Sequence, residues 1–451
     1  LRTLYQELLT GEQFVSLVER AKAQENLNEY ERGVVRVLDR EITILKKIPP
    51  SLNYELAKTS QEAFIAWREA KAKSSFEAFR PYLEKIVDLN RQIAEKLGYD
   101  ENPYDALLDL HEEGLRTRDV RKVFDVLEPS LRKALDKVMS EGYFTARSPL
   151  EEVKYEETAM RKVNEAVLSI LEYPADRARL DVSPHPFTIN MGVNDVRITT
   201  RYEGFDFKRS LFSVVHEFGH ATYELQVDPD LDMTPIGGGV SLGVHEGQSR
   251  FWENVVGRSP AFVSVVKPVL DRELGFTRGY TDEDVYRYFA NVKPSLIRTE
   301  ADEVTYNFHI LLRFELELMM INGEVRTSDL PEIWNERIDK LLGVRPANEA
   351  EGVLQDVHWA HGSLGYFPTY TLGNIVASMM LKDINGAGTR VSDLVSSRNF
   401  RAIKEYLREK VHKWGSTFAP KELLRRSFGK EYSPEDLVEY IEKKYIERKV
   451  Y

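Results

Sequence analysis

Residues 207–227 read FKRSLFSVVHEFGHATYELQV, and the reading of the whole chain turns on this stretch. It keeps a helical apolar spacing. His216 and His220 stand four residues apart, so an α-helix projects both imidazoles from one face, with Glu217 about 100° round the helix beside them. Such a pair can grip a single cation. The plainer alternative is two histidines packed into a core.

A catalytic metal needs a third protein donor and one open position. The chain contains no cysteine, which excludes disulfides, thiol nucleophiles, iron–sulfur clusters and thiolate metal sites. The donor must be His, Asp or Glu. Two glutamates compete: Glu224, one turn past His220, and Glu246, within SLGVHEGQSRFWENVVG at residues 241–257. That second stretch reads as another helix after the glycine break at 237–239. A donor from a second helix closes the coordination sphere better than a third from the first, so Glu246 is the expected ligand and Glu224 a hydrogen-bond partner. His245 is read as a neighbouring donor or as a packed core residue.

The chemistry follows from charge. Zinc is the expected ion, with cobalt or another divalent metal as the alternative. Two neutral imidazoles and one carboxylate leave it net positive, able to lower the pKa of bound water toward ~7 and to polarise a carbonyl. Glu217 then serves as general base and returns the proton to the departing amine. Hydrolysis of an amide is the expected reaction.

Outward from this helix, the 451 residues are 42% hydrophobic, 30% charged and 11% aromatic, proportions of a chain that folds around a core. The 62 basic and 73 acidic residues give a net charge of −11, so no overall basic field draws nucleic acid or an anionic membrane. Residues 310–321, ILLRFELELMMI, are broken by Arg313, Glu315 and Glu317. They read as a core helix rather than a membrane span. The first residues are charged and helix-like, unlike a signal peptide, which makes a cytoplasmic address the expectation.

Residues 1–173 show period-three-and-four apolar spacing, as in Phe76, Phe79, Tyr82, Leu83, Ile86 and Leu89. Pro49-Pro50, residues 98–103, Gly142 and Pro174 break it into about half a dozen helices. Between residues 183 and 202 the period drops to two, with Phe187, Ile189 and Met191, then Val196, Ile198 and Thr200, which predicts a hairpin turning at residues 192–195. Helical spacing resumes at Phe207, with breaks at 237–239, Pro294, Gly323 and 362–368. The fold class is mainly α, a large helical body with a small β element next to the metal helix. No repeat or linker divides it, so residues 1–451 are read as one catalytic domain, with 1–173 a helical N-terminal part and 174–451 the metal-binding part.

The HEFGH motif does not stand alone. The chain also carries HEGQ at 245–248, DVRIT at 195–199, IRTEAD at 297–302 and GVLQDVHW at 352–359, with NPYDALLDLHEEG at 102–114 and GYFPTYTLGN at 365–374. In these signatures and their order the sequence resembles the Taq metallocarboxypeptidase family, from about residue 102 to the C-terminus. Onto its motif the resemblance carries His216, His220 and Glu246 as metal ligands and Glu217 as catalytic residue. It implies a helical fold with a deep central cleft, a homodimer, and removal of single amino acids from free C-termini with broad specificity, sparing proline. Gly247 departs from the more usual His-Glu-Ser-Gln. The resemblance further implies a helix preceding Leu1.

An exopeptidase must recognise a terminal carboxylate, and arginine does so through two parallel hydrogen bonds. Arg197 and Arg298 lie in the signatures and are the candidates, Arg298 preferred. The alternative pairs Arg298 with Asp302 at i+4 and Arg197 with Asp195. Related peptidases use a His and a Tyr from the 352–374 region to stabilise the oxyanion, and here His358 and Tyr370 are chosen from His358, His361, Tyr366 and Tyr370. Gln355 and Asp356 are read as groups orienting His358. His309 is expected as a satisfied core histidine. His111, His185 and His412 receive no role, and residues 442–451 read as a solvated helix end. A zinc oligopeptide endopeptidase and a catalytically silent helical peptide-binding scaffold are the alternative functions.

Overall fold

Capping chemistry in the sequence sets where the helices start. Residues 2–449 are described by a computed structural model. Asn28 and Glu31 form a reciprocal capping box at the start of helix Glu29–Lys47, Asn102 and Asp105 do the same for Pro103–His111, and Thr281 and Asp284 for Asp282–Phe289. Each box satisfies two of the backbone N–H groups that a helix start leaves unpaired. Pro50 opens helix Pro50–Lys73, where the missing N–H is no loss. As expected, helices end before Pro49, Gly98, Gly142, Pro174 and Gly323.

The chain groups into two compact units. The first comprises Leu1–Phe124, Pro294–Ala301 and Thr305–Tyr370, the second Asp125–Lys293, Asp302–Val304 and Thr371–Tyr451. Residues 125–173 therefore group with the metal helix. In the first unit, helices Arg80–Leu97, Pro103–His111 and Tyr306–Asn322 pack together through residues such as Leu83, Ile86, Leu107, Leu312 and Phe314, all buried. Tyr306–Asn322 contains the apolar run expected to be a core helix. Its Arg313 and Glu317 are fully buried, and no described helix is long and apolar enough to cross a membrane.

The second unit holds three short strands, β1 (Ala178–Val182), β2 (Thr188–Asn190) and β3 (Val196–Thr200), in the order β1-β3-β2. The predicted hairpin is β2–β3, antiparallel, with Gly192 in its turn at φ +129°. Strand β1, parallel to β3, was not expected, although Ala178, Leu180 and Val182 alternate with Arg179 and Asp181: the run is only five residues long, too short to separate a strand from a loop by period alone. Along β2 the alternation holds, but Phe187, Ile189 and Met191 face solvent. Thr188 and Asn190 point inward because they serve two glutamates of helix Lys208–Leu225, which packs on the sheet.

Candidate active site

Helix Lys208–Leu225 presents His216 and His220 with ring centroids 4.9 Å apart. Helix Leu242–Arg250, capped by the Ser241 hydroxyl, crosses it at Gly219. A Cβ there would lie 2.6 Å from the Gln248 carbonyl oxygen and the Ser249 Cα, so only glycine allows this approach. The crossing carries Glu246 to the histidines. Its Oε2 is 3.7 Å from His216 Nε2 and 3.4 Å from His220 Nε2, and ligand atoms of all three lie within 4.8 Å of one another. Gly247, where the sequence departs from its resemblance, faces Val376, whose Cγ1 would be 2.5 Å from an added Cβ. The departure is a packing match and touches no donor.

The surrounding hydrogen bonds fix which nitrogen of each ring faces the cluster. His216 Nδ1 meets Glu253 Oε2 at 2.9 Å, and because an ionised carboxylate only accepts, Nδ1 carries the proton and Nε2 keeps its lone pair. For His220 the same logic runs through a relay. Glu224 Oε1 accepts from His245 Nε2 at 2.7 Å, leaving His245 Nδ1 to accept from His220 Nδ1 at 2.6 Å, so His220 Nε2 is also unprotonated. Two imidazole lone pairs and one carboxylate converge, and each ring is held from behind, the arrangement that suits a divalent first-row cation. Glu224, considered as a ligand from the sequence, also accepts from the Gly239 N–H at 3.1 Å and from Asn190.

Charge is balanced locally. Burial opposes ionisation of Glu246, but Arg250 and His216 outweigh it and hold the carboxyl well below the usual range. Arg250 Nε donates to Glu246 Oε1 at 2.7 Å. Glu253 likewise stays ionised through Arg250, His216 and Arg258. Burial lowers the pKa of His220. At His216 Glu246 and Glu253 overcome burial and raise it, so a proton competes with a cation for Nε2. Glu217 is buried, and Thr188 Oγ1 donates to its Oε2 at 2.6 Å.

Glu253 and Thr188 escaped the sequence reading. For Glu253 the signal existed, since Arg250 and Glu253 follow Glu246 at i+4 and i+7 on one helix. Thr188 had none, because it reaches Glu217 only through the docking of β2.

In the first unit, His358 Nε2 and Tyr370 OH are 3.0 Å apart. Burial, with Arg298 nearby, pushes His358 down to about 3, so it is neutral. Arg298 is buried, with its Nε 2.9 Å from Asp356 Oδ1 and its Nη1 3.0 Å from Tyr306 OH. The i+4 pairing with Asp302 does not occur, because residues Arg298–Glu300 form a single 3₁₀ turn rather than an α-helix. Arg313 Nε donates to the second oxygen of Asp356 at 2.7 Å. Arg298 and Arg313 overcome burial and keep Asp356 ionised. The expected orienting role of Gln355 and Asp356 toward His358 is not found. Gln355 donates to the Leu296 and Glu351 carbonyls and accepts from the Arg298 N–H, Asp356 serves the two arginines, and His358 Nδ1 has no hydrogen bond.

Arg197 lies on β3 in the second unit, exposed, with Nε and Nη2 2.8 and 2.6 Å from the Asp195 carboxylate, the pairing foreseen as its alternative. His309 is buried as expected, and burial holds its imidazole well below the usual pKa, so it is neutral. His412 is buried between Gln226 and Gln248. Of the C-terminal stretch, Lys444 and Tyr445 are buried rather than solvated, while residues 450–451 lie outside the described ones.

Residues 1–445 match the family model described as carboxypeptidase Taq (M32) metallopeptidase. The chain is 54% identical over 447 residues to thermostable carboxypeptidase 1 of Pyrococcus furiosus, covering 99% of this chain and 90% of that protein. It is 40% identical over 411 residues to thermostable carboxypeptidase 1 of Thermus thermophilus, covering 89% and 80%. The solved structure of Pyrococcus furiosus carboxypeptidase, in its Apo-Mg form, superposes with a TM-score of 0.97 at 54% identity, over 99% of this chain and 90% of that one. With its helical fold, its converging donors and these likenesses together, the chain belongs to the carboxypeptidase Taq (M32) metallopeptidase family and is a metallocarboxypeptidase.

Proposed function

We propose that His216, His220 and Glu246 hold zinc, or cobalt or another divalent ion in its place, and that Glu217 is the general base for removal of single C-terminal residues. The observation that carries this reading is the engagement of both Nδ1 atoms from behind, which leaves two Nε2 lone pairs converging with Glu246. When bound, a divalent cation supplies positive charge that polarises a peptide carbonyl and acidifies water. Thr188 occupies Oε2 of Glu217, leaving Oε1 to take the proton from water and pass it to the leaving amine. His358 and Tyr370 act as neutral donors toward the oxyanion.

Arg298 is the better candidate for the terminal carboxylate. It shares Asp356 with Arg313, and two guanidiniums against one carboxylate leave a surplus positive charge. Arg197 is balanced one to one by Asp195. The unpaired edge of β2 suits an extended peptide, since in an antiparallel pair alternate residues, here Thr188 and Asn190, turn their N–H and C=O groups away from the partner strand. Broad side-chain acceptance that spares proline, a homodimer, a cytoplasmic address, and action of the whole chain as one catalytic domain complete the proposal.

Glu217→Gln tests it. The variant should retain stoichiometric zinc by metal analysis while kcat falls about 10²–10⁴-fold. Undiminished hydrolysis removes Glu217 from the mechanism. The parent enzyme should cleave a peptide with a free C-terminus and leave the same peptide amidated largely intact. Equal rates would point to endopeptidase action.

A further inference from the structure

The helix that carries Glu246 does not end at Arg250 but loosens into a π-helical turn, Phe251–Gly257. The loosening matters because Arg250 and Glu253, on either side of its start, hold Glu246 and His216. It also strands a backbone acceptor. The N–H groups four and five residues beyond Asn254, those of Arg258 and Ser259, both close on the Val256 carbonyl instead. A buried carbonyl left in this way needs a partner from elsewhere.

Two side chains from the far end of the sequence supply it. Tyr440, in helix Pro434–Ile441, places its hydroxyl 3.2 Å from the Asn254 carbonyl oxygen, and Lys444, in the following turn Glu442–Ile446, places Nζ at 3.1 Å. Glu303 ties both together, accepting from Tyr440 OH at 2.6 Å, Lys444 Nζ at 2.6 Å and Tyr445 OH at 2.9 Å. All four residues are buried. A buried lysine–glutamate pair is a poor source of stability compared with apolar packing, so its presence beside this carbonyl calls for another reason. Arg250, Asn254, Glu303 and Tyr440 also line one small cavity, which places the pair and the group holding Glu246 in the same neighbourhood.

We propose that Lys444, Tyr440 and Glu303 are positioning residues for the metal site. By fixing the Asn254 carbonyl they hold the π-helical turn in the register that aims Glu253 at His216 and Arg250 at Glu246, and the C-terminal helix thereby sets the affinity for the cation. The inference rests on the reading of His216, His220 and Glu246 as metal ligands.

The test measures Zn²⁺ affinity of the full-length chain by competition with a fluorescent chelator, alongside thermal unfolding of the metal-free protein. Lys444→Met and Tyr440→Phe should each weaken Zn²⁺ binding about tenfold or more, the range seen when groups behind metal ligands are removed. Lys382→Met is the control. Lys382 pairs with Asp436 and Glu439 on the same helix without touching Asn254, so its loss should leave affinity at the parent value. If Lys444→Met does not fold, Tyr440→Phe decides alone. Parent-like binding by Tyr440→Phe, or an equal loss in Lys382→Met, overturns the inference. A parent chain that binds no Zn²⁺ overturns the metal reading itself, and the positioning role with it.

Discussion

The two regions that bear chemistry are built by different rules. In the second unit, His216, His220 and Glu246 come from two regular helices crossing at a glycine, so the spacing of the two histidines along one helix is their spacing in space, and only Glu246 arrives from a distance. In the first unit, the charged cluster is assembled from a 3₁₀ turn, a helix and a loop. Arg298 meets Asp356 across 58 positions and Arg313 meets it across 43. Helical spacing is informative only where a helix exists, and the failed Arg298–Asp302 pairing marks where that information ends.

The comparison predicts that the first-unit cluster is the more fragile under substitution. Asp356→Asn leaves two buried guanidiniums without their carboxylate, and breaking a buried pair from one side costs about 3–5 kcal/mol. The effect has a definite pH dependence. Asp356 has a folded pKa held below the unfolded value near ~4. Its stabilisation is therefore complete above that value and is lost as pH falls toward the folded pKa. Denaturant unfolding should show the gap between parent and variant at its widest near neutrality and narrowing below pH ~4. A gap that does not change with pH would mean that Asp356 does not act as an ion.

Much of this was legible beforehand. The proline and glycine breaks and the i, i+4 histidines are local features, and local physics places them. The hairpin was legible for the same reason, yet the face of β2 turned to the metal helix was not, because the demand for Thr188 and Asn190 there comes from Glu217 and Glu224 rather than from the strand. His245 could be read as a neighbouring donor, while the relay from Glu224 through it to His220 depends on the path of the segment after residue 237. Gly219, a glycine inside a helix, marks a close approach, but its own sequence does not say which element comes near.

A smaller effect is expected at Tyr370. If its hydroxyl and His358 are oxyanion donors, Tyr370→Phe should lower kcat about 10²-fold, the usual consequence of losing roughly 3 kcal/mol of such stabilisation, with KM little changed. Because His358 titrates near 3, it contributes no ionisation between pH 5 and 8. The rate profile of the variant should therefore keep the parent's shape at lower height. An unchanged kcat would reduce the Tyr370–His358 pair to a packing contact.

The smallest effect is expected at Arg197, and it bears most directly on how a terminal carboxylate is recognised. Its side chain is 48% exposed and paired with Asp195, and water screens an exposed pair of this kind. Arg197→Ala should leave the denaturant unfolding midpoint close to the parent's, as surface changes generally do, and leave KM for free-carboxylate peptides at the parent value. Buried Arg298 differs in every respect: it sits in low dielectric, within a cluster of surplus positive charge, where a carboxylate interacts more strongly than at a solvated surface. A tenfold rise in KM for Arg197→Ala, absent with amidated peptides, would move carboxylate recognition to the outer face of the sheet. It would also show that an exposed, one-to-one pair can be opened by substrate more readily than a buried one can share its charge.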